Sequence, residues 1–167
     1  AEDLDDYCVA LAHVFPEDVL AARKAEGKFS TIYTCCSESY PNTFLASPRA
    51  EGAWLPLYAL SKDYDGYLRW AYNSWPEDPL TEARSRWIAG DSFMVYPEGR
   101  SSVRMEKFTE GIQAYEKARI LLQEWTAAED STSISRLEEA FSCFIPGDIW
   151  ENGAEDAVDK VLAAINE

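Results

Sequence analysis

The first 36 residues constrain the fold most, because they show the pattern strand, helix, strand. An apolar run at residues 7–14 predicts a strand, and the following Pro16, with acidic residues behind it, favours a helix start that Gly27 ends. The β-branched and aromatic run at residues 29–36 predicts a second strand. Such a unit implies two neighbouring parallel strands joined by a right-handed crossover.

The rest of the chain continues this alternation. Strands are predicted from β-branched and aromatic runs, and helices from apolar positions at helical spacing. The predicted elements are an amphipathic helix carrying Trp54, Leu57, Tyr58 and Leu60, a third strand at 67–73, a fourth strand at 92–96, a long helix capped by Ser101 or Ser102, and two helices around 135–141 and 155–165.

We therefore predict an α/β fold of parallel strands alternating with helices. Three or four such strands are about half of a (β/α)8 barrel, which typically takes about 250 residues, and the chain has 167. An open parallel sheet with helices on both faces is the alternative. We expect residues 1–126 to form the partial barrel-like domain and residues 127–167 to form a helical extension packed on it.

The charge of the chain excludes some partner classes. The net charge is −15, so nucleic acids and anionic membrane surfaces would be repelled. No run of eighteen apolar residues occurs, so we predict no membrane span, and we recognise no signal peptide. We expect no nucleic-acid partner.

The cysteines and the histidine give no catalytic or metal motif. Cys8, Cys35, Cys36 and Cys143 match no zinc spacing, and we expect them to be reduced. His13 is the single histidine, which argues against a Ser-His-Asp or Cys-His mechanism. We therefore predict neither a metal nor a cofactor.

Aromatic and amide residues gather where the predicted strands end. Side chains at the carboxyl ends of parallel strands face the loops in which sites form. Trp and Tyr rings match the C–H faces of sugars, and Asn and Asp match their hydroxyls. Leu68, Phe93 and Val95 we assign to the core. The strand-end candidates are Tyr33, Cys35, Tyr40 and Asn42, then Trp70, Tyr72, Asn73 and Trp75, then Trp87, Asp91 and Tyr96.

The sequence shows no catalytic acid. Glycoside hydrolysis needs two carboxyl groups, or one acid and a substrate group that acts as the nucleophile. Glu38, Asp78 and Asp91 are the acids nearest to strand ends, and none has a partner at a defined spacing. Arg69 needs an acidic partner if it points inward, and the sequence does not identify one.

Five segments in order, at residues 27–36, 40–44, 65–75, 89–97 and 101–116, resemble the C-terminal half of the catalytic domain of family 123 glycoside hydrolases. The resemblance covers roughly residues 3 to 125. It implies a (β/α)8-type barrel that acts on β-linked N-acetylgalactosamine. In that mechanism the 2-acetamido oxygen of the substrate attacks the anomeric carbon, a glutamic acid protonates the leaving group, and configuration is retained.

In the family, the catalytic acid and its adjacent Asp or Asn lie on an earlier strand, and no residue here matches that pair. The resemblance therefore carries over only a sugar-contacting wall, formed by Tyr33, Trp70, Asn73, Trp75 and Asp91. It implies a carbohydrate ligand and export to the periplasm, cell surface or exterior.

Three hypotheses follow from these observations. The first is a glycosidase whose N-terminal half lies outside this chain. The second is a non-catalytic carbohydrate-binding protein or degenerate barrel. The third is a structural fragment, whose exposed inner sheet face would favour self-association into a homo-oligomer.

Overall fold

The structure is a computed structural model that describes residues 3–167. Within those residues it contains a three-stranded sheet and six α-helices. The elements in chain order are β1 (Asp6–Ala10), α1 (Glu17–Ala25), β2 (Phe29–Thr34), α2 (Ala50–Ser61), β3 (Gly66–Arg69), α3 (Val103–Ala127), α4 (Ser131–Phe141), α5 (Ile149–Asn152) and α6 (Glu155–Ala164).

The sheet is parallel, with the strand order β1-β2-β3. Ile32 of β2 lies opposite Val9 on one side and Tyr67 on the other. The predicted strand–helix–strand unit and the α/β class are confirmed. The strands are shorter than predicted, because a 3-10 turn at Leu11–His13 follows β1 and the chain leaves the sheet after Arg69.

The two faces of the sheet differ, because side chains alternate along each strand. Ser30, Ile32 and Thr34 are buried on the face that the helices cover. On the opposite face, Phe29 is 61% exposed and Leu68 is 51% exposed. The assignment of Leu68 to the core was wrong, because this leucine lies on the face that the helices leave open.

Helix α2 is the centre of the core. Every residue from 51 to 59 is buried, so the helix is enclosed by the protein on all sides and has no solvent-facing polar side, contrary to the predicted amphipathic helix. The ring of Trp54 stacks on Tyr58 at 4.8 Å and on Phe144 at 5.1 Å. Helix α3 packs closely on α2 at Gly111, where a Cβ atom would lie 2.5 Å from the carbonyl oxygen of Ala53.

The C-terminal helices join the same hydrophobic core. Leu137 of α4, Phe144, and Val158 and Val161 of α6 are buried in one cluster with the residues of α2. The predicted helices are confirmed, and Ser102 caps α3 by accepting a hydrogen bond from the Met105 amide at 3.1 Å. The division of the chain at residue 126 stays a prediction.

The predicted fourth strand at residues 92–96 is not a strand of the sheet. Its backbone instead runs antiparallel to the segment that follows β3, with a bridge between Asn73 and Phe93. The Met94 amide donates to the Tyr72 carbonyl at 2.8 Å, and the Ser74 amide donates to the Ser92 carbonyl at 2.8 Å. These hydrogen bonds pair the segment with residues 72–74 instead of with a strand of the sheet.

Candidate functional site

The candidate site lies at the carboxyl end of the sheet, where the strands give way to loops. The loop at residues 35–49 follows β2, and the segment at residues 70–96 follows β3. Because both strands are parallel, the two loops begin at the same edge. The site is therefore built from the loop after β2 and the segment after β3.

Asn42 fixes the loop after β2. The residue is fully buried, and its Nδ2 donates to the carbonyls of Cys35 at 2.7 Å and Glu38 at 2.5 Å. Its Oδ1 accepts from the Thr43 amide at 2.8 Å. All the hydrogen-bonding groups of the side chain are thereby satisfied, so the loop has one defined shape.

Glu51 holds the same loop from α2. Its Oε2 accepts from the Asn42 amide at 2.6 Å, while its buried Oε1 has no hydrogen-bond partner in the described part of the chain. Burial raises the pKa of Glu51 to about 7, against the weaker lowering effect of the Asn42 amide. Sequence reasoning missed this residue, because an acid in a first helical turn ordinarily faces solvent and the helix dipole.

Arg69, the last residue of β3, finds its acidic partner in Asp91. Its Nη2 donates to Asp91 Oδ1 at 2.9 Å, and both side chains are almost completely buried. Arg69 Nε donates to Thr43 Oγ1 at 2.8 Å, and Nη1 donates to the Thr34 carbonyl at 3.2 Å. The guanidinium thus joins β2, the loop after it and the segment after β3.

Arg104, in the first turn of α3, joins the same two segments through their backbones. Its Nη1 donates to the carbonyls of Thr43 and Gly90, both at 2.8 Å. Gly90 has φ +83°, and a Cβ there would lie 2.9 Å from Arg104 Nη1, so this approach requires glycine. Burial lowers the pKa of Arg104. Two arginines therefore connect Thr43 with residues 90 and 91.

We call the buried hydrogen bonds that Arg69 and Arg104 make to the two loops the frame. The exposed aromatic side chains lie on the segment after β3, which the frame holds. Trp70 and Trp75 are exposed, and the indole Nε1 of Trp75 donates to the Val95 carbonyl at 2.7 Å. Asn73 is also exposed, although its backbone forms the bridge to Phe93. Tyr33 is half-buried, and burial raises its pKa to about 12, so its hydroxyl stays protonated at neutral pH.

The comparisons with known proteins identify the family. Residues 1–121 match the family described as glycoside hydrolase 123, catalytic domain. The chain belongs to glycoside hydrolase family 123. The structure is also similar to that of a family 123 glycoside hydrolase from Clostridium perfringens, which was analysed for glycolipid glycan hydrolysis.

That similarity has a TM-score of 0.77 at 25% sequence identity. It covers 97% of this chain and 31% of the clostridial protein, so this family 123 chain spans less than a third of that protein's length. No curated protein matches the chain.

Within this family 123 chain, the structure brings two predicted site residues, Asp91 and Tyr33, close together. It also buries Asp91 away from solvent. Asp91 is bound to Arg69, and both charges act on the pKa of Tyr33, which therefore lies nearby. Asp91 is fully buried and its Oδ2 has no hydrogen-bond partner among residues 3–167. It therefore offers no surface for a ligand here, although the sequence predicts sugar contact.

Glu38 and Asp78, which the sequence suggests as catalytic candidates, each accept a hydrogen bond within their own loop. Glu38 is buried and accepts from the Cys35 amide at 2.9 Å. Asp78 is exposed and accepts from Thr81 Oγ1 at 2.8 Å within its own loop. Residues 3–167 contain no group of three metal-ligating side chains, and no helix among them is long and apolar enough to cross a bilayer.

Proposed function

We propose that this chain is the sugar-binding part of a glycoside hydrolase that acts on N-acetyl-β-galactosaminides with retention of configuration. The observation that carries the proposal is the set of exposed aromatic side chains held at the strand ends by a buried hydrogen-bonded frame. Membership of family 123 supports the reaction class. The catalytic acid, in this proposal, comes from outside this chain.

We propose further that the sheet belongs to a (β/α)8 barrel. Doubly wound sheets have helices on both faces, whereas the strands of a barrel have helices outside and side chains inside. The sequential parallel order β1-β2-β3 and the open face around Leu68 support the barrel. In this proposal the N-terminal half of the barrel covers that face, and the isolated chain self-associates through it.

In the proposed wall, Trp70 and Trp75 stack on the apolar face of the sugar, and Asn73 binds its hydroxyls. The hydrogen bond from Trp75 to Val95 fixes the indole before a ligand arrives, which lowers the entropy lost on binding. Tyr33 keeps its proton and acts as a hydrogen-bond donor. Asp91 supports the wall from behind by holding Arg69.

The proposed reaction is substrate-assisted. The 2-acetamido oxygen attacks the anomeric carbon while a carboxylic acid protonates the leaving oxygen, and water then opens the cyclic intermediate with net retention. This chain's part is to orient the sugar and exclude water from its face. Holding the sugar in the attack geometry contributes to the rate without any proton transfer by the wall.

A non-catalytic carbohydrate-binding protein is the second candidate. The burial of Glu38, Glu51 and Asp91 favours it, because these carboxyl groups near the site are turned into the protein. Such a protein would keep the aromatic wall and bind the same sugar without cleaving it.

Titration with N-acetylgalactosamine, followed by tryptophan fluorescence, tests the wall. We expect saturable binding, and an affinity about tenfold lower in Trp75→Ala, which corresponds to about 1.4 kcal/mol. Trp150→Ala is the matched control, because that indole is exposed on α5 outside the wall. Equal affinity of Trp75→Ala and the unaltered chain would remove Trp75 from the site.

A further inference from the structure

Cys35 and Cys36 are adjacent thiols at the end of β2, where the loop of the candidate site begins. Both side chains are half-buried, and both thiols are free. The Sγ of Cys35 lies 3.0 Å from the Oγ of Ser37. The Cys35 thiol is also one of the causes that raise the pKa of the Cys36 thiol, so the two sulfur atoms lie within interaction range of each other. The loop therefore presents two neighbouring thiols that solvent can reach.

A disulfide between two consecutive cysteines is strained. The Cα atoms of consecutive residues lie about 3.8 Å apart across a trans peptide bond. The Cα atoms of disulfide-bonded cysteines are usually separated by at least about 4.4 Å. Strain makes a disulfide easier to reduce, and disulfides of this kind are the labile or regulatory ones. A Cys35–Cys36 disulfide is therefore suited to opening and closing and not to permanent cross-linking.

The two thiols have different surroundings. Burial raises the pKa of the Cys36 thiol most, and the negative charge of Asp91 raises it further. Asp91 is fully buried, and its Oδ2 has no hydrogen-bond partner among residues 3–167. Cys36 therefore keeps its proton more firmly than an ordinary thiol. The Ser37 hydroxyl beside Cys35 can donate a hydrogen bond to a thiolate. Because the thiolate is the nucleophile, Cys35 is the thiol that attacks first.

The thiol pair is connected to the proposed wall through Tyr33. After burial, Cys35 is the largest cause of the raised pKa of Tyr33, partly through a hydrogen bond between the two side chains. The Cys35 amide donates to Glu38 at 2.9 Å, and the Cys35 carbonyl accepts from Asn42 at 2.7 Å. Closing a ring over residues 35 and 36 displaces these backbone groups and removes the thiol beside Tyr33. Oxidation of the pair therefore acts on one of the proposed sugar contacts.

We propose that Cys35 and Cys36 are a site of reversible oxidation, at which a low-molecular-weight disulfide such as oxidised glutathione closes the pair to a disulfide and weakens sugar binding at the wall. The Cys35 thiolate attacks the glutathione disulfide, and one glutathione thiolate leaves. Cys36 then loses its proton and attacks the Sγ of Cys35, which releases the second glutathione thiolate. The two leaving thiolates take up the two protons, so two protein thiols are oxidised and one glutathione disulfide is reduced. The effect on binding rests on the proposed function, whereas the oxidation does not.

Treatment of the reduced chain with oxidised glutathione, followed by thiol titration and peptide mass mapping, tests the oxidation. We expect Cys35 and Cys36 to be joined, with the loss of two of the four free thiols, and reduced glutathione to restore them. Cys36→Ser is expected to accumulate a mixed disulfide of Cys35 with glutathione, and Cys35→Ser to form its adduct more slowly. Cys143→Ser is the matched control, because that thiol lies outside the loop and its loss leaves the closure intact.

Titration of the reduced and oxidised chains with N-acetylgalactosamine measures the effect on binding. We expect the oxidised chain to bind about two- to tenfold more weakly, the scale of one lost hydrogen bond. The double variant Cys35→Ser/Cys36→Ser is expected to have the same affinity with and without oxidised glutathione.

The outcomes separate this inference from the proposed function. A peptide map in which Cys35 and Cys36 stay reduced, or are joined to Cys8, Cys143 or a second copy of the chain, overturns the oxidation site. Equal sugar affinity of the reduced and oxidised chains overturns its effect on the wall. Absence of sugar binding by the reduced chain overturns the proposed function and with it the effect on binding, whereas the peptide map decides the oxidation independently.

Discussion

The two faces of the β-sheet differ in how completely they are packed. On one face, Ile32 is buried against helices that supply most of the hydrophobic core. On the other, Phe29, Tyr33 and Leu68 are exposed or half-buried. The same alternating strands therefore present one face that helices cover and one face that is open.

This difference locates function. Four charged side chains shape the loops at the strand ends and are buried or nearly so: Arg69, Asp91, Glu51 and Arg104. Their hydrogen bonds extend to the strand ends, where the exposed indoles lie. In the proposed function this chain supplies a rigid frame for one side of the sugar pocket, and the rest of the proposed barrel covers the open face.

The largest expected effect is the loss of the buried ion pair between Arg69 and Asp91. Asp91→Asn leaves the Arg69 guanidinium buried without its countercharge, which is expected to cost about 3–5 kcal/mol in the free energy of unfolding. Urea denaturation measures it. The double variant Arg69→Met/Asp91→Leu is expected to recover part of the loss, because neither charge then remains buried.

The matched control is the exposed pair of Arg100 and Glu98. Glu98→Gln is expected to change stability by less than about 1 kcal/mol. Similar losses of unfolding free energy in Asp91→Asn and Glu98→Gln would mean that the Arg69–Asp91 pair is as solvated as the exposed pair. That result would contradict the packing difference.

The substitution of leucine by alanine can be made on both sides of the comparison, once in the core and once on the open face. Leu57 of α2 is fully buried, so Leu57→Ala is expected to lower the free energy of unfolding by about 2–5 kcal/mol. Leu68→Ala on the open face is expected to stay within about 0.5 kcal/mol at low protein concentration. A Leu68→Ala cost as large as that of Leu57→Ala would show that the open face is packed in solution.

Glu51, buried in the first turn of α2, gives a pH-dependent effect on stability. Because burial raises its pKa to about 7 from 4.5, the folded state holds the proton more tightly than the unfolded state. The stability contributed by the protonated form is complete below pH 4.5 and is lost as the pH rises through 7, for a total of about 3 kcal/mol.

Glu51→Gln removes this titration. Relative to the unaltered chain, the variant is expected to gain stability between pH 5 and pH 8, and urea unfolding across that range measures the gain. Parallel stability curves for the two proteins would contradict a raised pKa at Glu51.

The sequence predicts the local part of this fold well. Periodicity and capping residues indicate the helices, and Ser102 caps α3 as expected. The prediction of a sheet strand at residues 92–96 was wrong, because the composition of a segment rich in β-forming residues does not reveal which part of the backbone it pairs with. That segment pairs with residues 72–74 instead of extending the sheet.

The site is less predictable, because it depends on contacts distant in sequence. Arg69 and Asp91 are 22 residues apart, and Arg104 reaches Thr43 across 61 residues. The acidic partner that Arg69 needs was foreseeable, but its identity was not. Glu51 carries no sequence signal, because only the packing of α2 buries it.

Turnover of an aryl N-acetyl-β-galactosaminide tests most directly the claim that this chain recognises the sugar and does not cleave it. The account predicts saturable, Trp75-dependent binding of the glycoside by this chain without release of the phenol, and release with retained configuration by a longer protein that contains it. Phenol release that scales with the concentration of this chain alone would contradict the account.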